Sequence, residues 1–298
     1  YLTSDDGLFS NVVNDVIQDS RGDLWLAHFG YGVCRYDGKK VYRYGEDQGL
    51  YMSERGSLIE DTKGNIWVAT LGDGAYEFHD NRFRRVDKHN GLLSDTIFDV
   101  SKTPDGTLWF ATAGGLSALR AGEILNNIPY PRSANPIINA IDTSPEGVVW
   151  IANPAGVSKF DGKAFQLVIP EAQLDHNRVI EIMIDHQKRV WICTVKGLYR
   201  WHQRELVHFA PQPGLWGGEF NTAIEDKSGN VWLGTHGDGM SVYSDGMFTQ
   251  FGSELGKDFV YAINRQPGGN YWIGTGNGIY EYDGKAVKRA TGPDFFSK

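Results

Sequence analysis

The sequence predicts an all-β fold, a seven-bladed β-propeller with four antiparallel strands in each blade. Seven of the nine tryptophans recur every 40–42 residues, a period typical of propeller blades. They are Trp25, Trp67, Trp109, Trp150, Trp191, Trp232 and Trp272. Three residues before each of these tryptophans the chain has glycine, except for Lys188 in the fifth repeat. A glycine at a fixed position indicates a tight hairpin that needs a positive φ.

Each repeat contains four short strand patterns separated by turn residues. In the first repeat the patterns cover residues 14–18, 24–27, 32–36 and 40–44. Four-stranded units of this kind bury both sheet faces when they pack side by side around a central channel. We therefore expect one domain over residues 1–298, and expect the seven tryptophans to pack between blades. The predicted repeats lie near 8–50, 51–92, 93–134, 135–176, 177–218, 219–259 and 260–298.

Composition excludes several other classes of protein. The chain is 41% hydrophobic and 13% aromatic, which is incompatible with a disordered protein. It has no run of about 18 apolar residues, so we expect no membrane-spanning segment. Its 37 acidic and 29 basic residues give a net charge of −8, which argues against a nucleic-acid partner.

The two cysteines and the first residues of the chain each carry a prediction about the ring. Cys34 and Cys193 fall on blades one and five, which are not neighbours in a ring of seven, so we expect two buried thiols and no disulfide. Residues 1–8 are similar to residues 44–50, which end a fourth strand and lead into the next blade. This first segment either lies along the edge of the last blade or follows another propeller in a longer protein.

The repeat itself resembles the two-component regulator propeller repeat. The best copies are EDTKGNIWVAT at 60–70, EDKSGNVWLGT at 225–235 and WIGTGNGIYEYDG at 272–284. The tryptophan is never followed by aspartate, which disfavours a WD40 propeller. The Asp-x-x-Gly-x-x-Trp turn also resembles the Asp-box of sialidases, but no convincing arginine set for a sialic carboxylate accompanies it. The resemblance implies a periplasmic or extracellular sensor of a bacterial signalling protein, with a histidine-kinase module or a second propeller adjoining it.

Candidate ligand-binding residues are those that depart from the repeat on one face of the ring. The loops between second and third strands emerge on the same face as the starts of the first strands, and we expect this face to surround the channel mouth. Three residues after the tryptophan, the first repeat has His28 where five repeats have threonine. At the next position, where the residues are mainly small or apolar, the sixth repeat has His236. Three further loop residues are flanked by glycines, namely Tyr31, Asp73 and Asp238.

Charged residues at the starts of the first strands form the second part of this prediction. Glu54, Arg178 and Glu219 occupy one repeat position, and Arg55 occupies the next. Lys196 and Trp216 lie in neighbouring loops. A rim of carboxylates, cations and aromatic rings suits a small polar ligand, such as an oligosaccharide. Single charges of this kind are also common on solvated surfaces, where Glu54 with Arg178 or Arg55 with Glu219 would form ion pairs.

Two functions from different classes follow from these residues. The first is a non-catalytic sensor propeller that binds a polar ligand at the channel mouth and needs no metal or cofactor. The second is a lyase or epimerase in which His28 and His236 act as acid and base with Glu54 and Glu219. A protein-interaction ring is a third alternative. The sequence contains none of the familiar metalloprotease, nucleophile-elbow or phosphate-loop motifs. The basic run at 82–85 is interpreted as a solvated face.

Overall fold

Seven four-stranded antiparallel sheets follow one another along the chain, each with its strands in sequential order. The computed structural model describes residues 2–131, 136–175, 178–215, 218–251, 255, 257–266, 269–283 and 285–290. The helical segments include four short 3-10 turns, at Ser4–Asp6, Glu46–Gln48, Lys88–Asn90 and Glu171–Gln173. The predicted seven-bladed β-propeller is confirmed.

Each blade contributes four strands, numbered here in chain order. Blades one to three contain β1 (Asp15–Gln18), β2 (Leu24–His28), β3 (Gly32–Tyr36), β4 (Val41–Tyr44), β5 (Gly56–Glu60), β6 (Ile66–Thr70), β7 (Ala75–His79), β8 (Arg82–Val86), β9 (Ile97–Lys102), β10 (Leu108–Thr112), β11 (Gly115–Arg120) and β12 (Glu123–Pro129). Blades four and five contain β13 (Ala140–Thr143), β14 (Val149–Asn153), β15 (Gly156–Phe160), β16 (Phe165–Pro170), β17 (Val179–Ile184), β18 (Val190–Thr194), β19 (Gly197–His202) and β20 (Glu205–Phe209). Blades six and seven contain β21 (Phe220–Glu225), β22 (Val231–Thr235), β23 (Met240–Ser244), β24 (Met247–Phe251), β25 (Val260–Arg265), β26 (Tyr271–Thr275), β27 (Gly278–Tyr282) and β28 (Val287–Arg289).

The hairpin between the first and second strands has the same backbone conformation in every blade. The glycine three residues before each tryptophan has a φ between +81° and +99°. In the fifth blade Lys188 adopts the same left-handed conformation, with a φ of +61°. The turn geometry therefore persists where the glycine is lost, at the cost of a conformation that side chains rarely adopt.

An aspartate in this hairpin holds the indole of the repeat tryptophan in four blades. In each pair the Nε1–H of the tryptophan donates to a carboxylate six residues earlier in the chain. The pairs are Trp25 with Asp19 at 3.0 Å, Trp67 with Asp61 at 3.2 Å, Trp191 with Asp185 at 2.8 Å and Trp232 with Asp226 at 3.0 Å. In the third blade the Thr103 hydroxyl takes this place, 3.1 Å from the Trp109 nitrogen. The aspartate and the tryptophan of the motif thus form one unit.

The hydrophobic core consists of seven clusters, one at each contact between neighbouring blades. Each repeat tryptophan packs into such a cluster; Trp25, for example, lies with Val68 of the next blade, and Trp191 with Leu233. The predicted position of the tryptophans between blades is confirmed. Packing between blades holds the ring together, because none of the described strands forms a sheet with a strand of the next blade.

The first residues of the chain contribute to the contact between blades seven and one. Leu2 and Leu8 are buried in the same cluster as Trp272 and Ile279 of the seventh blade. The Leu2 amide donates to the Ala290 carbonyl at 3.0 Å. The structure thus shows the first of the two predicted arrangements, in which this segment lies along the edge of the last blade.

Both cysteines are buried and unbonded, as predicted. Burial raises the pKa of the Cys34 thiol to about 12, and it raises that of Cys193 well above the usual value. Each thiol is therefore protonated at neutral pH and packs as a small apolar group.

Candidate functional site

The first strands of all seven blades contact one another in a closed ring and surround a central cavity of about 330 Å³. Each of these strands supplies lining residues, from Asn14 in blade one to Asn264 in blade seven. Four carboxyl groups line this channel, those of Asp15, Asp99, Asp142 and Glu181, and the Arg55 side chain lines it with them. The channel is therefore a polar cavity in which acidic groups predominate.

Three of these carboxylates connect the first strands of neighbouring blades. Asp15 accepts the Leu58 amide of blade two at 2.7 Å. Asp99 accepts the Ile141 amide at 3.0 Å, and Asp142 accepts the Ile184 amide at 2.8 Å. Each bond crosses from one blade to the next, a connection that no ladder of the described strands makes. These aspartates consequently have a structural role in the inner wall of the ring.

Burial makes the ionised form of the channel carboxyls unfavourable. It raises the pKa of Asp15 and of Asp142 to about 6 and that of Asp99 to about 7. Burial, followed by the charges of Asp99 and Asp142, raises the pKa of Glu181 well above its usual range. The Arg55 guanidinium opposes this effect on Glu181. At neutral pH some of the channel carboxyl groups are therefore protonated, and Arg55 balances part of the negative charge of the others.

None of these four acids was among the residues predicted for the site, although a pattern in the sequence marks three of them. Ten residues before the repeat tryptophan, three blades carry an acid, namely Asp15, Asp99 and Glu181, whereas the others have serine, alanine or threonine. Asp142 lies two positions further along its strand and faces the same channel. Only the closure of the ring brings these positions from separate repeats together.

At the mouth, the blade-six residues of the predicted rim lie together. The His236 Nδ1 atom is 4.0 Å from the Glu219 Oε1 atom, and the His236 amide donates to the Glu219 carbonyl at 3.1 Å. The histidine ring lies 4.2 Å from that of Phe259, centroid to centroid. His236 is 45% exposed and Phe259 38%. Asp238 follows in the same loop, where the Thr235 hydroxyl accepts its amide at 3.0 Å. This cluster combines an imidazole, carboxylates and an accessible aromatic ring.

The rim residues of blades one and two also lie side by side. Tyr31 is 59% exposed and stacks on Phe9 with ring centroids 6.4 Å apart. The amide of its neighbour Gly30 donates to the Glu54 carbonyl at 3.0 Å. Asp73 accepts a 3.4 Å hydrogen bond from the hydroxyl of Ser53, which immediately precedes Glu54.

The remaining predicted residues lie at three different places. Arg178 and Lys196 are exposed on blade five, where the Val195 amide donates to the Arg178 carbonyl at 3.4 Å. Arg55 lines the channel. Trp216 lies outside the described residues.

His28 differs from its expected position on the rim. Its side chain is completely buried at the end of β2, and Nδ1 lies 3.1 Å from the Val12 carbonyl. Burial lowers the pKa of His28 to about 4. The histidine that replaces threonine at this position is therefore buried and neutral at neutral pH. Of the four residues in the acid–base alternative, His236 and Glu219 make a direct contact, whereas His28 does not reach the surface.

Within the described part of the chain, no group of three His, Cys, Asp or Glu side chains is arranged to hold a metal ion. Nor does that part contain a helix long and apolar enough to cross a membrane.

The comparisons with known proteins bear on the repeat and on the fold. A family model described as two component regulator propeller matches residues 7–30. This segment is a two-component regulator propeller repeat. It includes the Asp19–Trp25 unit, whose equivalents recur around the ring of this repeat protein. None of the curated proteins matches the chain in sequence.

Two solved extracellular domains of bacterial signalling proteins share the architecture of this repeat protein. The extracellular domain of BT3049, a hybrid two component system protein of B. thetaiotaomicron, is 20% identical, with a TM-score of 0.78 over 94% of this chain and 40% of that one. The extracellular domain of BT4673, a one component system protein of the same organism, is 16% identical, with a TM-score of 0.74 over 95% and 41%. The chain thus spans about two fifths of the length of these two domains.

A virginiamycin B lyase from Staphylococcus aureus, solved with quinupristin, is also similar. It is 10% identical, with a TM-score of 0.72 over 91% of this chain and 95% of that one. At such identities these three likenesses show the shared propeller fold.

Proposed function

We propose that this propeller is the ligand-sensing part of a bacterial extracytoplasmic signalling protein. It binds a small polar ligand, such as an oligosaccharide, over the channel mouth in the periplasm or outside the cell. A histidine-kinase module or an adjoining propeller would convert binding into a signal. The observation that carries the proposal is the cluster of His236, Glu219 and Phe259, which offers polar groups beside an accessible ring at the mouth.

The rim is suited to recognition because its polar groups are held by the backbone of the ring. The loop amides of Gly30, Val195 and His236 donate to carbonyls at the starts of first strands. These bonds fix the loops before a ligand arrives, which reduces the entropy lost on binding. Aromatic rings provide apolar contact area, while the carboxylates and cations accept and donate hydrogen bonds to ligand hydroxyls.

A binding experiment on the blade-six cluster tests this proposal. We expect at least one oligosaccharide in a screening panel to raise the melting temperature of the protein. The double variant Glu219→Ala/His236→Ala should lose this rise, because it removes the polar groups beside Phe259 while leaving the blade contacts intact. The measurement is the ligand-induced shift in thermal unfolding, followed by calorimetric titration of the ligand found.

The matched control is His208→Ala. His208 also pairs with an acid, since its Nδ1 atom lies 3.4 Å from Asp175, but it is on the outer strand β20. This variant should keep the full ligand-induced shift. A shift that survives in the double variant, or the absence of any shift across the panel, would contradict the proposed site.

A further inference from the structure

A second cavity, of about 490 Å³, lies on blade two, at the end of the blade opposite the channel mouth. The β5–β6 turn and the hairpin of β7 and β8 form it, and these turns emerge away from the β6–β7 loop of the rim. Its lining includes Lys63, Glu77, His79, Arg82, Phe83 and Arg84. The proposed sensing function does not use this cavity.

Positive charge predominates in the lining of this cavity. Arg84 is neutralised by Glu77, with the arginine Nε atom 3.0 Å from the carboxylate, and Glu77 is 8% exposed. Lys63 and Arg82, in contrast, form no ion pair with any described residue. This part of the surface is therefore positively charged, on a chain whose net charge is −8. The local field therefore attracts anions to this part of an acidic protein.

The basic run at 82–85, interpreted from sequence as a solvated face, divides into three different environments. Arg85 donates through Nε to the Asp73 carbonyl at 2.7 Å, near the mouth. Arg84 is held by Glu77 and by the Gly122 carbonyl of blade three, 3.1 Å from its Nη2 atom. Arg82 is exposed and lines the cavity. All three arginines are exposed, as predicted, but their contacts differ.

The cavity walls limit the size and chemistry of its occupant. Blade three partly orders the cations, because the Lys63 Nζ atom donates to the Ala121 carbonyl at 3.5 Å. The half-buried Phe83 ring and the hydrocarbon stems of the arginines supply apolar wall. A volume of this order fits a small organic molecule rather than a bare ion.

We propose that this cavity binds a small organic anion with two or more carboxylate or phosphate groups. The Arg82 guanidinium matches the planar geometry of either group, and the Lys63 ammonium provides a second point of attraction. Such a site is separate from the channel mouth and would provide the propeller with a second ligand.

Calorimetric titration with citrate and with inorganic pyrophosphate tests this inference. We expect saturable binding of at least one of them at low ionic strength, weakened at higher salt by screening. The relative affinities distinguish a carboxylate from a phosphate ligand. The double variant Lys63→Gln/Arg82→Gln should bind about tenfold more weakly, because both groups are exposed and each contributes modestly.

The control is Lys163→Gln. This variant removes one exposed cation from the turn between β15 and β16 of blade four, which corresponds to the turn between β7 and β8 of blade two. This variant should bind like the unmodified protein. Absence of saturable binding by either anion, or equal affinity in the Lys63/Arg82 variant, would overturn the proposal. Neither result would affect oligosaccharide binding at the mouth, so the two proposals fail independently.

Discussion

Replacing Asp185 with alanine is expected to lower the free energy of unfolding by about 4 kcal/mol. The Asp185 carboxylate is completely buried and accepts the Trp191 indole N–H at 2.8 Å. It also accepts the amides of Gln187 and Arg189, at 3.0 and 2.9 Å, and pairs with the Arg189 guanidinium. Alanine would leave the buried Trp191 indole N–H and the largely buried Arg189 guanidinium without this partner. Thermal and urea-induced unfolding measure the loss, and we expect the melting temperature to fall by about 10 °C.

Asp161→Ala provides the matched control for this variant. Asp161 also accepts two backbone amides in a turn, at 2.9 and 3.0 Å, but its side chain is exposed and holds no tryptophan. Its loss should lower the stability much less than the loss of Asp185, because water replaces the exposed carboxylate. Equal losses in the two variants would show that the buried aspartate–tryptophan unit has no special importance for the fold.

Acidification from pH 8 to pH 5 is expected to stabilise the protein. The folded-state pKa values of Asp15, Asp99 and Asp142 are raised from 3.8 to about 6 or 7, so the folded state takes up protons in a range where the unfolded state does not. Each such carboxyl adds up to about 1.4 kcal/mol per pH unit once the pH falls below its folded-state pKa, and contributes little above that pKa. His28 acts in the opposite direction below pH 6.5, because its pKa falls to about 4 in the folded state. The carboxyls outnumber this histidine, so the melting temperature should rise, by about 5 °C or more.

The Glu181→Gln variant identifies the channel as the source of this pH dependence. Glutamine removes a negative charge that burial and the neighbouring aspartates make unfavourable. We expect a higher melting temperature than that of the unmodified protein at pH 8, and little difference at pH 5. Glu205→Gln, at an exposed position on β20, should change neither value. A lower melting temperature for Glu181→Gln at pH 8 would show that ionised Glu181 stabilises the ring.

The sequence predicted the fold closely because each blade is specified locally. The period of Trp25 and its six equivalents, the turn glycines and the apolar positions all recur within about 40 residues. Seven repeats of four strand patterns therefore identified the propeller, and burial of both sheet faces required a ring. The hydrogen bond from Trp25 to Asp19 connects residues six positions apart, a distance at which sequence patterns are reliable guides.

The candidate site was predicted less completely, since its residues come from different repeats. Departures from the repeat identified His236 and Glu219, which the structure brings into contact. The same reasoning placed His28 on the rim, although its side chain turns into the contact between blades, where Phe9 and Val12 cover it. A residue that departs from the repeat therefore marks a position with different surroundings, but the sequence does not show whether its side chain is exposed or buried.

By itself, the sequence determined the number of blades, the turn conformations and the packing role of the repeat tryptophans. Those properties depend on neighbours within one repeat or on the periodicity of the whole chain. Tertiary structure alone decided that acids of blades one, three, four and five share one channel with Arg55. The raised pKa values follow from that closure, because charge and burial depend on distance in space rather than on separation along the chain.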